Sequence, residues 1–187
     1  MNILVLSGNP KKDGLCQSVI DQAVAGAQDG GANVEEIRLC ESKLLRCAVC
    51  GDGWGICKAQ HVCVYGNDGF AEIGEKIAQA DAVIIATPVY WWEVSEALKS
   101  FMDRFRRCNY GEKGRLSGKQ TLLIASAGGT GNGILHCLEE LEQFCKHTGA
   151  PVFDMIGVNR WSGDYKRAMA YAAAKAMAQG RKNGDSL

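Results

Sequence analysis

Met1-Asn-Ile-Leu-Val-Leu6, running directly into Ser7-Gly-Asn-Pro-Lys-Lys-Asp-Gly-Leu-Cys-Gln-Ser18, is the stretch from which the rest of the chain can be read. The first part is a short aliphatic run of the kind that is buried on both faces of a parallel sheet. The second is a polar, glycine-containing loop after which a helical pattern begins. A buried strand feeding such a loop into a helix is how α/β proteins build an anion site, because loop N–H groups and the helix N-terminal dipole converge there. The loop has neither G-x-x-x-x-G-K-[ST] nor G-x-G-x-x-G spacing, so neither triphosphate hydrolysis nor a standard dinucleotide site is indicated. Ser7, Asn9, Gln17 and Ser18 instead offer neutral hydrogen bonds to phosphate oxygens, and Lys11 and Lys12 stand near enough to add charge. Taken alone, the stretch is equally an ordinary strand-to-helix turn.

Working outward, strand-like runs recur at 3–6, 34–39, 82–86, 120–125 and 152–158, with helical patterns at 15–28, 70–79, 94–107, 134–148 and 165–179. Strands alternating with helices predict an α/β fold with a parallel sheet covered on both faces, since right-handed crossovers place a helix between parallel neighbours. Breakers fall where this requires them: Gly30-Gly31, Gly128-Gly-Thr-Gly131 and Gly149-Ala-Pro151. With 187 residues and 47% hydrophobic content, one domain over 1–187 is expected. The segment 41–69 stands out as a long insertion crowded with Cys, Gly and Asp, and the polar stretch 181–187 reads as a frayed tail.

Lys and Arg together number 21, as do Asp and Glu, and this formal neutrality removes the electrostatic footprint of a nucleic-acid binder. No basic leader precedes the first strand and no apolar run reaches bilayer length, so no membrane association and a cytoplasmic location are expected. There, nine cysteines are expected to stay reduced, and a cluster of them points to metal, redox or catalytic use.

In an open parallel sheet, ligands bind beyond the carboxyl ends of the strands, where the winding reverses. Three loops empty there: Ser7–Ser18, Thr87-Pro-Val-Tyr-Trp-Trp-Glu93 and Ser126-Ala-Gly-Gly-Thr-Gly131. The first supplies a phosphate cradle, the second aromatic planes, the third unhindered backbone amides. A flat, polar-edged heteroaromatic with a phosphate tail fits all three, and FMN is the common molecule of that shape. The bland counterparts are an aromatic run that merely packs and a glycine run that merely turns; position at strand ends favours the cofactor reading.

Leu6-Ser-Gly-Asn-Pro-Lys-Lys-Asp-Gly14, Ala80-Asp-Ala-Val-Ile-Ile-Ala-Thr-Pro-Val-Tyr90 and Ser95-Glu-Ala-Leu-Lys-Ser-Phe-Met-Asp-Arg104 resemble the NAD(P)H-dependent FMN reductase-like flavoproteins, above all the branch that includes the iron–sulfur flavoproteins. The resemblance implies a flavodoxin-like three-layer, doubly wound parallel five-stranded sheet of order 2-1-3-4-5. It also implies FMN as cofactor and NAD(P)H as electron donor. Phosphate contacts would come from Ser7, Asn9, Pro10, Lys11 and the turn Leu15, Cys16, Gln17, Ser18. Pro88, Val89, Tyr90 and Trp91 would line the ring, and Ala127, Gly128 and Gly129 would meet its pyrimidine edge. Where that family carries Gly-Asn-Thr this chain has Gly14-Leu-Cys16, leaving Gln17 and Ser18 as candidates to complete the cradle. The flavin would carry the chemistry, so no catalytic side chain is assigned. The implied partners are a small-molecule electron acceptor (a quinone, flavin, nitro compound or metal ion) and a redox carrier protein. A homodimer or higher homo-oligomer is implied as well, and the apolar run from Trp91 into the following helix suits it.

Cys47, Cys50, Cys57 and Cys63 give C-x2-C-x6-C-x5-C within one connection. Four such thiolates can hold a [4Fe–4S] cluster, and the resembling iron–sulfur flavoproteins carry theirs in this connection, with a middle interval of two residues rather than six. Zinc held by all four thiolates and a metal-free loop are the alternatives. Cys16, Cys40, Cys108, Cys137 and Cys145 read as small core residues, His61 as a candidate assistant to metal or substrate, and Asp103 with Arg104 as a helix-surface pair.

Overall fold

The structure, a computed structural model, describes residues 1–110 and 114–181. Five strands, β1 (Asn2–Ser7), β2 (Asn33–Arg38), β3 (Ala82–Pro88), β4 (Gln120–Ala127) and β5 (Val152–Asn159), form one sheet. All neighbouring pairs are parallel, in the order β2-β1-β3-β4-β5. Among the described residues six helices connect and flank them: α1 (Gly14–Asp29), α2 (Cys57–Gln60), α3 (Phe70–Gln79), α4 (Glu96–Cys108), α5 (Ile134–Thr148) and α6 (Gly163–Ala178). The covered parallel sheet is what the alternation predicts, and its flavodoxin-like order is what the family resemblance implies. The tail expected at 181–187 lies, beyond Arg181, outside the described residues.

The strand pleat divides the core into two layers. Leu4, Leu6, Val83, Ile85 and Leu123 point to one face and pack with Phe70, Ile77, Leu98, Phe101, Phe105 and Leu141 from α3, α4 and α5. Ile3, Val5, Ile84, Leu122 and Ile124 point to the other and meet Val19, Ile20, Ala23, Ala170 and Ala174 from α1 and α6. Both faces of the central strands are therefore apolar, which is why they read as continuous rather than alternating runs. Each fully buried Leu, Ile or Phe contributes about 1.5–3 kcal/mol of transfer free energy. Leu98, Phe101, Met102 and Phe105 all belong to this core, so the apolar stripe of α4 faces inward.

Local chemistry sets the ends of the elements. Gly149 takes φ +74 at the end of α5, where the following Ala150 N–H bonds to Cys145 O at 2.9 Å. Helix α4 starts two residues later than the 94–107 pattern suggests. Val94 gives its N–H to Glu140 and Ser95 is extended, its N–H bonded to Thr87 Oγ1 at 3.0 Å. Among the described residues no helix is long and apolar enough to cross a membrane.

Candidate functional site

The carboxyl ends of the three central strands carry small polar side chains in otherwise apolar surroundings. Ser7 in β1, Thr87 in β3 and Ser126 in β4 are all buried, as are Asn9, Gln17 and Ser95 just beyond. Placing hydroxyls and amides here costs desolvation, and the Ser95 hydroxyl has no hydrogen-bond partner among the described residues. The cluster is thus polar beyond what the fold itself uses.

Asn9 organises the first loop. Its side-chain amide donates to Lys11 O at 2.7 Å and Gln17 Oε1 at 3.2 Å, while its Oδ1 accepts from the Lys11 N–H at 3.3 Å. Ser18 Oγ is turned back onto Leu15 O at 2.8 Å. Pro10 and Lys11 are exposed on the loop, and Lys12 pairs with Glu41 at 3.0 Å. Asp13 precedes α1 but makes no capping bond, and the first turn contains no acidic residue. The N–H groups opening α1 are therefore available to an external acceptor, with the helix dipole behind them.

The second loop is a two-residue hairpin turn. Tyr90 and Glu93 exchange backbone hydrogen bonds of 2.9 and 3.1 Å around Trp91 and Trp92, which take φ +48 and +75. Two bulky residues in the left-handed region store on the order of 1–3 kcal/mol each, and such strain concentrates at functional sites. Trp91 is 93% exposed, and Val89 is fixed behind it by a bond from its N–H to Ser126 O at 2.8 Å. Pro88 closes β3 in register with Ser126.

Cys16 is where the loops meet. Burial pushes its thiol up to about 12, against an opposing pull from the Ser126 hydroxyl beside it. Burial also raises the Tyr90 phenol, and Cys16 and Cys40 nearby add to the effect. One residue of α1 thus has β4 and the aromatic loop as neighbours. Ala127 is buried at the end of β4, whereas Gly128 and Gly129 are exposed, with open space where a side chain would stand. Gly131 differs: at φ +91, a Cβ would come within 2.9 Å of Asn159 Nδ2. Ser7, Asn9, Cys16, Gln17, Tyr90, Ala127, Gly128 and Gly129 therefore lie at the carboxyl-end edge of the sheet.

The Cys segment lies beside this edge. Cys47, Cys50, Cys57 and Cys63 all line one apolar cavity of about 190 Å³, with Ile56, Val62, Arg104 and Arg107. Among the described residues, however, no three His, Cys, Asp or Glu side chains are gathered as a ligand set. The four thiols share a cavity without fitting a cluster or zinc as arranged. His61 is engaged elsewhere, its Nδ1 at 3.2 Å from Cys108 O and its ring against Tyr110.

Two arginines escape the sequence reading. Arg104 is no surface partner of Asp103, which pairs instead with Lys99 and Arg106. It is buried, pairs with Asp68, donates to Leu45 O (2.9 Å) and Tyr65 O (2.7 Å), and lies over the Phe70 ring. It therefore ties both ends of the Cys segment to α4. Arg38 ends β2 and reaches into the first loop. Cys40 is likewise exposed rather than core, its thiol on Asn9 O at 3.1 Å, whereas Cys16, Cys108, Cys137 and Cys145 are buried as read.

Sheet order defines a flavodoxin-like fold, with the candidate site on the loops that follow the carboxyl ends of its strands. Residues 1–161 match the family described as NADPH-dependent FMN reductase, and the chain belongs to that family. It is similar to the iron-sulfur flavoproteins of Archaeoglobus fulgidus (31% identity, 70% of this chain and 56% of the relative) and Methanosarcina thermophila (32% identity, 71% and 66%). The matched stretch thus spans between about half and two thirds of these relatives. Among solved structures, an azoreductase from Bacillus anthracis superposes with a TM-score of 0.72 at 12% identity, covering 96% of this chain and 99% of that one. An NAD(P)H:quinone oxidoreductase from Methanothermobacter marburgensis gives 0.69 at 17% identity, covering 100% and 98%.

Proposed function

We propose that the chain is an FMN-dependent oxidoreductase. It takes electrons from NAD(P)H or a carrier protein and passes them to a small acceptor such as a quinone, flavin, nitro compound or metal ion. The observation that carries this is the uncapped N-terminus of α1, framed by buried Ser7, Asn9 and Gln17 at the edge where Tyr90 and the open Gly128-Gly129 backbone also stand. That donor set suits a phosphate monoester at one end and a planar ring at the other. When bound, FMN supplies reversible acceptance of hydride and single electrons.

The side chains bind and orient. Ser7, Asn9, Pro10, Lys11 and the Leu15, Cys16, Gln17, Ser18 turn hold the phosphate end; Pro88, Val89, Tyr90 and Trp91 line the ring; Ala127, Gly128 and Gly129 present backbone to its polar edge. Residues 1–187 act as one domain, with 41–69 as its insertion. A second copy of the chain covers the apolar rim formed by Trp91, Trp92 and Leu135, which are 93%, 56% and 82% exposed. Reconstitution with excess FMN, desalting and absorbance spectroscopy test the reading, with light scattering for the dimer. Stoichiometric flavin is expected; colourless protein, with no flavin fluorescence after denaturation, overturns it.

A second reading, an electron-transfer protein similar to the iron-sulfur flavoproteins, is favoured by the names of the two archaeal relatives, whereas the four thiols as arranged form no ligand set among the described residues. Anaerobic iron and sulfide analysis separates it from the first.

A further inference from the structure

We propose that Arg38 is the positioning residue that makes this site selective for a phosphate-bearing flavin over its phosphate-free counterpart, an inference that rests on the FMN reading above. Arg38 ends β2 opposite Ser7 in the sheet register, directly beside the first loop. Its side chain is 14% exposed. One terminal nitrogen donates to Gln17 Oε1 at 2.7 Å; the other donates to Asn9 O at 3.2 Å and Lys11 O at 2.8 Å. A single planar group thus holds two loop carbonyls and the first turn of α1 in fixed relation.

The trans peptide turns this grip into a direction. With Lys11 O held by Arg38 and by the Asn9 amide, the N–H of Lys12 in the same peptide plane faces the opposite way. Gln17, shared between Arg38 and Asn9, fixes the uncapped helix start against that loop. The guanidinium charge is already opposed by Glu41 at 3.2 Å and Glu36 at 3.6 Å, and Lys12 and Arg38 hold the Glu41 carboxyl below its usual range. Arg38 therefore acts through the shape of its fork rather than through net positive charge. A lysine ammonium, a point donor on a flexible stem, cannot span the same three acceptors.

The test uses the full chain with Arg38→Met and Arg38→Lys, stripped of flavin and titrated with FMN and with riboflavin by fluorescence quenching, alongside ligand-free melting curves. Arg38→Met should weaken FMN binding by about ten- to a hundredfold, which is about 1.4–2.7 kcal/mol. Riboflavin, which has no phosphate for the loop to hold, should change by less than about threefold, and Arg38→Lys should restore only a minor part of the loss. An unchanged FMN-to-riboflavin ratio, whether both affinities fall together or neither does, overturns the proposal. Full restoration by lysine also overturns it, because charge alone would then suffice. If Arg38→Met melts below the assay temperature, Arg38→Gln is read by the same criteria. Wild-type protein that binds neither flavin defeats the FMN reading itself; wild-type protein that binds both equally leaves the ring site standing and defeats only the role of Arg38.

Discussion

Replacing Asp68 by Asn would strand a buried cation. The Arg104 and Asp68 side chains are 1% and 6% exposed, and breaking a buried pair by removing one partner costs about 3–5 kcal/mol. Arg104 would keep Leu45 O, Tyr65 O and the face of Phe70, whose ring centroid lies 4.1 Å away, which places the expected loss near the lower end, about 3 kcal/mol. For a chain of this length that is a fall in Tm of about 6–12 °C. Urea unfolding of the full-length protein measures it, and limited proteolysis should show earlier cleavage within 41–69. Burial alone would raise the Asp68 carboxyl, but Arg104 and the Leu45 and Phe70 N–H groups outweigh it and hold the group below its usual range. A carboxylate depressed in the folded state stabilises above the unfolded value, near ~3.9, and that stabilisation disappears as pH falls through the folded value. Wild type and variant should therefore differ fully at neutral pH and converge only in acid. An Arg104→Met/Asp68→Leu double variant should be more stable than the single one, because no charge remains buried. A loss below about 1 kcal/mol at neutral pH, or a difference that persists unchanged into strong acid, would refute the reasoning.

Other expectations follow from single features. Gly129→Ala has open space for its methyl group, so stability should stay within about 0.5 kcal/mol while FMN retention drops; unchanged retention would show that the backbone there makes no approach to the ring. In native protein at pH 8, exposed Cys40 should alkylate well before Cys16, Cys108, Cys137 and Cys145, whose thiols are pushed up to about 12, 11, 12 and 12 by burial, and mass spectrometry would detect any early labelling of Cys16 that contradicts this. Cys50→Ser/Cys57→Ser should leave FMN content intact; about four irons per native chain, lost in the double variant, would instead establish the electron-transfer reading.

The fold was legible because both signals it depends on are local. Apolar runs marked all five strands to within two residues, and Gly149 marked the end of α5 because a left-handed turn is needed there. The polar loop between β1 and α1 was legible for the same reason. What escaped depends on contacts between segments distant in sequence. Arg104 looks like an exposed helical residue until Asp68, 36 positions away, is brought beneath it. Arg38 is hidden by its own strand, since a charged residue closing a run at a sheet edge normally reads as solvated. The left-handed backbone of Trp91 and Trp92 contradicts residue preference outright, so no sequence rule for turns would place it. The four-residue α2 is too short for any periodicity to register.

The position of β1 within the sheet has a consequence for biogenesis. β1 lies between β2 and β3, yet about 75 residues separate its end from the start of β3. At synthesis rates of ~5–20 residues per second, Ile3, Leu4, Val5 and Leu6 wait on the order of 4–15 s for their second neighbour, with one edge of the strand unpaired. During that interval the stretch is an aliphatic segment with free backbone donors and acceptors, the kind of surface that chaperones capture and that drives aggregation. Yield in cells should therefore respond to translation speed through residues 8–88 more than through the remainder of the chain.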